Sequence, residues 1–248
     1  MSENPAFEAD EAARPGLPPL VGPIVHRALL VPQQGTTELI FVRHAQPARL
    51  PDGTPKEQLM DPPLSDVGRR QAEAVAAALC TTTVAATYTS DLVRAVDTGA
   101  AIAARHNHDP VAWAELQEFQ AFRHVPAGES VRQWVPPALL RGMGERFVRE
   151  RTWDSFPYSE PGGEFRNRVA SAIEAILGAH PGQRVVVACH GGVINAYVAH
   201  LWDTRADMLF NPAHGSISRI VAREDRRAVA TLNELHHLRS GDDDLVDY

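Results

Sequence analysis

Polar residues stand directly after two short apolar segments of the sequence. Arg43 and His44 follow the apolar segment 38–42, and His190 follows the continuous apolar segment 185–189. A neutral imidazole is a competent nucleophile at about pH 7, and histidine is among the side chains that form covalent intermediates. Arginine presents a planar fork of N–H donors that suits phosphate oxygens, and it stays charged at any relevant pH. Together these residues indicate a nucleophile in an anion-binding site.

Three more positions extend this set. Arg94 falls one turn into a helical segment that follows Ser90, and Glu118 comes after a weaker strand candidate. Gly191 stands ahead of another helical segment, where bare backbone N–H groups and the helix dipole favour an anion. A carboxylic acid such as Glu118 can protonate a leaving oxygen and afterwards deprotonate water. All these residues are far apart in sequence, so the fold has to bring them together.

The elements that position these residues follow from an alternation of apolar segments typical of strands with segments of helical spacing. The predicted strands are 38–42, 86–90, 111–116, 185–189 and 217–221. The predicted helices are 72–79, 91–104 with Ser90 as its cap, and 169–176. This alternation predicts a single α/β domain, a mostly parallel sheet sandwiched between helices. Ligands of open α/β sheets bind beyond the carboxyl ends of the strands, so we expect the polar residues at one edge of the sheet.

Five segments resemble the motifs of a known family and occur in that family's order. The segments are 39–46 (Arg-His-Gly signature), 63–72 (Leu-Thr-x-x-Gly-x-x-Gln-Ala), 90–98 (Ser-x-Leu-x-Arg-Ala-x-x-Thr), 162–168 (Gly-Glu-Ser-x-x-x-x-Arg) and 187–192 (second-histidine strand). They resemble the histidine phosphatase superfamily, the phosphoglycerate mutase-like proteins. Ala45 replaces the glycine that this family places after the first histidine.

The resemblance implies a role for each matching residue. His44 would be the nucleophile that becomes a phosphohistidine, and Arg43, Arg94 and His190 would hold the phosphoryl oxygens. Glu118 occupies the position of the family's proton donor, with Glu115 and Glu129 kept open as alternatives. A further histidine, His214, lies near the start of a strand and belongs either to the site or to the surface.

The implied activity is that of a metal-independent phosphomonoesterase without a cofactor, acting on a small phosphorylated metabolite. A cofactor-dependent phosphomutase of the phosphoglycerate mutase type is the first alternative. The second is a non-catalytic phosphate-binding or scaffold protein, which would need no proton donor. The paired histidines at 106 and 108 and at 236 and 237 have no carboxylate or cysteine at ligand spacing, so we expect no metal site.

Composition excludes several other classes of protein. The chain has 31 Asp and Glu against 24 Lys and Arg, and its net charge of −7 disfavours nucleic acid and anionic membranes as partners. The apolar stretch 29–31 is too short to span a bilayer and follows no basic region, so we expect no signal peptide. Cys80 and Cys189 are expected to be buried thiols of a reduced, cytoplasmic protein.

Three regions are expected along the chain. Residues 1–35 are rich in proline and acidic residues and are predicted to be a disordered arm. Residues 36–240 would form the catalytic domain, with 119–160 as an insertion, partly helical over 138–151, that covers the site. Residues 241–248 would be an acidic, solvated tail. The sequence leaves the oligomeric state open, with a homo-oligomer as one alternative.

Overall fold

A computed structural model describes residues 35–156, 158–239 and 244–248. The predicted N-terminal arm therefore lies, apart from Gly35, outside the described residues, as do residues 241–243 of the predicted tail. The described strands are β1 (Thr37–Arg43), β2 (Ala86–Thr89), β3 (Val111–Ala112), β4 (Arg184–Cys189), β5 (Ile217–Arg223) and β6 (Arg226–Glu234).

These strands form one six-stranded sheet in the order β3-β2-β4-β1-β5-β6. Strand β1 runs parallel to β4, and β2 runs parallel to both β3 and β4. Strand β5 runs antiparallel to both of its neighbours, β1 and β6. The prediction of a mostly parallel α/β sheet is confirmed.

Helices cover both faces of this sheet. The described helices are α1 (Lys56–Met60), α2 (Asp66–Leu79), α3 (Val93–Ala104), α4 (Val131–Trp134), α5 (Pro137–Glu150), α6 (Gly162–Ala179) and α7 (Gly191–Leu201). The side chains of β1 alternate between the two faces, as the two-residue period of a strand requires. Leu39 and Phe41 pack with α6 and α7 on one face, whereas Ile40 and Val42 pack with α2 and α3 on the other.

Helix α3 begins later than predicted. It starts at Val93 with Leu92 as its N-cap, and Ser90 is not the cap. The Ser90 hydroxyl instead accepts a hydrogen bond from the backbone N–H of Leu92 and contacts the ring of His190. With bonds accepted from Leu92 and from His190, both acceptor positions of the hydroxyl are used, and neither bond reaches the first turn of the helix.

Two strand predictions were also incomplete. The predicted strand 111–116 is only two residues long, and a 3-10 turn at Ala114–Leu116 follows it. Strand β6 was missed, because it lies at the sheet edge and none of its residues is buried. An edge strand without a buried face lacks the apolar alternation that the prediction depends on.

Part of the predicted insertion 119–160 packs around a small apolar cluster of its own. Helices α4 and α5 enclose a cluster made by Val125, Val131, Val135 and Met143.

Cys189 is buried, but Cys80 is exposed, so the expectation of two buried thiols was wrong for Cys80. In the described part of the chain, every helix is too short or too polar to cross a lipid bilayer.

Candidate active site

The ends of β1 and β4 bring two histidine rings together. The register pairs Arg43 with Cys189, so His44 and His190 leave the sheet at the same level. The backbone N–H of His44 donates to the carbonyl of Cys189 at 2.8 Å. The two ring centroids lie 5.1 Å apart.

His44 is buried with one ring nitrogen directed at an arginine. Its Nδ1 lies 2.8 Å from the carbonyl oxygen of Ala45, and because a carbonyl only accepts, Nδ1 carries the proton. Arg94 Nε donates to the other ring nitrogen, Nε2, at 3.2 Å. Burial lowers the pKa of His44 well below its usual value, and the charges of His190, Arg94 and Arg43 lower it further. The ring is therefore neutral, with a lone pair on Nε2.

Arg94 links the two histidines rather than lying exposed on its helix. It is 7% exposed, and its Nη2 donates to His190 Nδ1 at 3.3 Å. Its Nη1 donates to the carbonyl of Met60 at 2.7 Å. His190 Nε2, which then carries the ring proton, donates to Ser90 Oγ at 2.9 Å. Burial, followed by the charges of Arg94, Arg43 and Arg168, holds the pKa of His190 well below its ordinary value.

Arg43 has an unused donor at this edge of the sheet. Its Nη1 donates to the carbonyl of Pro212, while its buried Nε has no hydrogen-bond partner among the described residues. An unsatisfied buried donor is costly, which indicates that a ligand oxygen belongs there. Helix α7 starts beside it, since a Cβ added to Gly191 would lie 3.6 Å from Arg43 Nε. The guanidinium and the helix N-terminus together favour an anion.

Glu118 lies across the start of α7. Its Oε2 accepts a hydrogen bond from the backbone N–H of Gly192 at 3.1 Å, and its Oε1 accepts one from Phe119 at 3.0 Å. A Cβ added to Gly192 would come within 2.1 Å of Glu118 Oε1, so any larger residue there would displace the carboxylate. Glu118 also lines the cavity beside Arg94, which Glu115 and Glu129 do not.

That cavity has a volume of about 290 Å³ and lies between α1 and the segment 117–123. Its lining residues are Lys56, Glu57, Met60, Leu92, Arg94, Gln117, Glu118, Phe119, Gln120, Ala121 and Arg123. The predicted covering segment thus contributes its first residues to one wall. Through Arg94, the cavity adjoins the sheet edge at which His44 and His190 lie.

An ion pair holds the segment that carries Glu118. Arg168 on α6 donates through Nε and Nη2 to Glu160 at 2.9 and 2.8 Å, and Glu160 is 4% exposed. Arg168 Nη1 also donates to the carbonyls of Glu115 and Gln117, at 2.7 and 3.0 Å. One guanidinium therefore fixes the backbone on the N-terminal side of Glu118.

The C-terminal residues reach this site, which the sequence analysis missed. Asp247 accepts hydrogen bonds from Gln46 Nε2 and from the backbone N–H of His214, at 3.0 and 2.7 Å. His214 itself belongs to the site, because its ring centroid lies 5.4 Å from that of His44. The segment 244–248 has no helical or strand periodicity, so no sequence signal placed it here.

Metal ligands are not gathered at this edge. Among residues 35–156, 158–239 and 244–248, no group of three or more His, Cys, Asp or Glu side chains is arranged to hold a metal ion.

Comparison with known proteins identifies the family. Residues 39–235 match the model of the histidine phosphatase superfamily (branch 1). A metal-independent phosphoserine phosphatase of Arabidopsis thaliana is 27% identical over 219 residues, which cover 82% of this chain and 84% of that protein. Phosphoglycerate mutase-like protein 4 of Arabidopsis thaliana is 30% identical over 165 residues, 64% of this chain and 68% of that protein.

A solved structure agrees with the fold. YhfR of Bacillus stearothermophilus superposes with a TM-score of 0.67 at 23% identity, over 82% of this chain and 100% of that one. Since the family match spans most of the chain and the family's motifs meet at one edge of the sheet, the chain belongs to branch 1 of the histidine phosphatase superfamily.

Proposed function

We propose that this chain is a metal-independent phosphatase that hydrolyses a small phosphorylated metabolite through a phosphohistidine at His44. The observation that carries the proposal is the neutral, buried ring of His44, whose Nε2 faces Arg94 beside the cavity that Glu118 lines. Family membership and the name of the phosphoserine phosphatase relative support a phosphatase.

The first step forms a bond between His44 Nε2 and phosphorus and breaks the ester P–O bond. Glu118, in its protonated form, gives its proton to the departing alkoxide oxygen. Arg43, Arg94 and His190 surround the phosphoryl oxygens and offset the charge on them. In a loose transition state of this kind, electrostatic stabilisation supplies most of the rate enhancement.

The second step removes the phosphoryl group from His44. Glu118, now a carboxylate, takes a proton from water as the water oxygen attacks phosphorus. The P–N bond breaks, its electron pair returns to His44 Nε2, and inorganic phosphate leaves. The enzyme recovers the protonation states with which it began.

Two guanidinium groups make a divalent ion unnecessary in this scheme, because they supply the positive charge that a metal supplies in other phosphatases. We therefore expect the purified protein to release phosphate from small phosphomonoesters in the presence of excess chelator. The measurement is free phosphate over a panel of esters, with and without chelator. Activity that chelator abolishes and a divalent ion restores would contradict this prediction.

The same assay separates the phosphatase from a phosphomutase, which the name of the second relative supports. The cavity walls carry Lys56 and Arg123, which offer cations for a second anionic group. Asp247, in contrast, places a carboxylate close enough to Arg43 to affect its pKa, which disfavours a bisphosphate. With 3-phosphoglycerate and a trace of 2,3-bisphosphoglycerate we expect free phosphate to exceed isomer. Rapid isomerisation with negligible release of phosphate would replace the proposal with the mutase.

The hydrogen bonds of Arg168 to the segment before Glu118 yield another prediction. Arg168→Met frees the carbonyls of Glu115 and Gln117 and allows Glu118 to shift. A displacement of about 1 Å at a reacting group can cost about 10²-fold, so kcat for alkyl phosphates is expected to fall by about 10- to 100-fold. Aryl phosphates, whose phenolate leaves without a proton, should be affected much less.

The matched control is Arg166→Met on the same helix, whose guanidinium lies 3.5 Å from the buried Asp207. This variant removes an ion pair to another buried carboxylate without touching the segment before Glu118. We expect it to change the melting temperature but not the ratio of aryl to alkyl turnover. An unchanged ratio of aryl to alkyl turnover in Arg168→Met would show that Arg168 does not position Glu118.

A further inference from the structure

A carboxylate near the C-terminal end of the sequence holds a third histidine beside the nucleophile. His214 Nδ1 lies 2.9 Å from Asp247 Oδ2, and the His214 side chain is almost fully buried. Because a carboxylate only accepts, Nδ1 carries the ring proton and donates a hydrogen bond to Asp247. The ring's other nitrogen, Nε2, has no hydrogen-bond partner among the described residues.

The surroundings of His214 are those of the phosphoryl-binding edge. Its ring lies 5.4 Å from that of His44. Burial and then the nearby charge of Arg43 lower its pKa to about 4, with a smaller contribution from Arg94, while Asp247 acts in the opposite direction. His214 is thus a neutral ring close to the nucleophile and to both phosphate-binding arginines.

Asp247 is itself fixed from several directions. Gln46, two residues after the nucleophile, donates to its Oδ2, and the backbone N–H of His214 donates to its carbonyl. Two residues earlier, the carbonyl of Leu245 accepts a hydrogen bond from Gln71 on α2 at 2.7 Å. These contacts orient the carboxylate, and the carboxylate in turn orients the imidazole.

We propose that His214 is a further phosphoryl-binding residue, which Asp247 orients so that its Nε2 contacts a phosphoryl oxygen. The proposal rests on the phosphatase function above and adds a group to its site. A monoanionic phosphoryl group brings its own hydroxyl proton, which it donates to the Nε2 lone pair. If that proton moves to Nε2, the resulting imidazolium donates to the phosphoryl oxygen and is balanced by Asp247, so no other proton source is needed.

Two substitutions of His214 distinguish the role of its Nδ1 from the role of its Nε2. Asparagine is short enough to place its amide only where Nδ1 stood, and it keeps a contact with Asp247. Glutamine places its amide where Nε2 stood and loses the contact with Asp247. Binding of inorganic phosphate, measured by calorimetry, should be at least about tenfold weaker in His214→Asn, the smallest loss expected for a hydrogen bond to a charged group. His214→Gln should bind more tightly than His214→Asn.

The order of these two affinities decides the proposal. Equal affinities, or tighter binding by His214→Asn, would show that His214 only anchors the C-terminal segment and would overturn it. Asp247→Ala removes both the orienting carboxylate and its repulsion of an anion, so its role is measured by combining variants. His214→Asn should weaken phosphate binding less in the Asp247→Ala background than in the wild type, whereas it should keep its full effect in Asp244→Ala, a change at an exposed aspartate of the same segment. An undiminished effect of His214→Asn in the Asp247→Ala background would overturn the orienting role of that carboxylate.

Phosphate binding needs no turnover, so this test is independent of the phosphatase assay. If no ester is hydrolysed but His214→Asn binds phosphate more weakly than His214→Gln, the inference stands and the proposed activity fails. If esters are hydrolysed and the two variants bind phosphate equally well, only the inference fails. Thermal unfolding of each variant confirms that it is folded under the conditions of the titration.

Discussion

His44→Ala is expected to turn over substrate at least about 10⁴-fold more slowly than the wild type and still to bind inorganic phosphate. Losses of this size are found when other enzymes lose a covalent nucleophile. The loss follows because no other side chain in the described part of the protein offers a lone pair at the position of His44 Nε2. Phosphate binding persists because Arg43, Arg94 and His190 remain. The buried Nε of Arg43, unpaired among the described residues, is available to such an anion.

Two measurements check this expectation. Steady-state assays give the loss of turnover, with His200→Ala, a change at the exposed end of α7, as the control. Labelled substrate quenched without acid should leave a phosphoryl adduct on residue 44 that is stable in alkali and labile in acid. Wild-type activity in His44→Ala, or an adduct at another residue, would contradict the phosphohistidine proposal.

Glu118→Gln has the second-largest expected effect, and its size depends on the leaving group. The amide keeps the shape, and its one oxygen still accepts from the backbone N–H of Gly192 while the contact with Phe119 is lost, but it has no acidic proton to give to an alkoxide. Turnover of alkyl phosphates should therefore fall by about 10²- to 10⁴-fold, the usual contribution of general acid–base catalysis. Turnover of aryl phosphates should fall much less.

The comparison that identifies the proton donor uses the two other carboxylates considered from the sequence. Glu115→Gln and Glu129→Gln should leave the aryl-to-alkyl ratio at the wild-type value, because neither side chain lines the cavity. If one of them shows the strong dependence on leaving group instead, that residue is the acid and the role of Glu118 is wrong.

The parts of the site that could be predicted are those carried by regular elements. His44 and His190 follow buried strands whose apolar character is visible in the sequence, and parallel pairing then places both at one edge. Arg94 follows from its position near the start of a helix, which the structure places in the first turn. The predicted start of that helix was wrong, because whether Ser90 caps the helix depends on His190, a hundred residues away.

Other parts depend on contacts that have no local pattern. Arg168 could be recognised only as the last residue of the motif 162–168. Its hydrogen bonds to two backbone carbonyls arise from the packing of α6 against the segment before Glu118. The place of Asp247 depends on Gln46 in the loop after β1 and on His214 before β5, which both donate to its carboxylate. Neither periodicity nor composition encodes contacts of this kind.

The direction of β5 explains how the last residues arrive at the site. In a wholly parallel sheet, all strands begin at one edge and end at the opposite edge. Residues that precede one strand therefore lie far from residues that follow the neighbouring strands. Strand β5 is reversed, so its start pairs with the end of β1, and β6 then returns the chain to that same edge, with Glu234 opposite Ile217. Any polypeptide joined after Tyr248, a purification tag included, would therefore emerge next to the nucleophile. Kinetic work on this protein is better done with tags at the other terminus or with tags that have been removed.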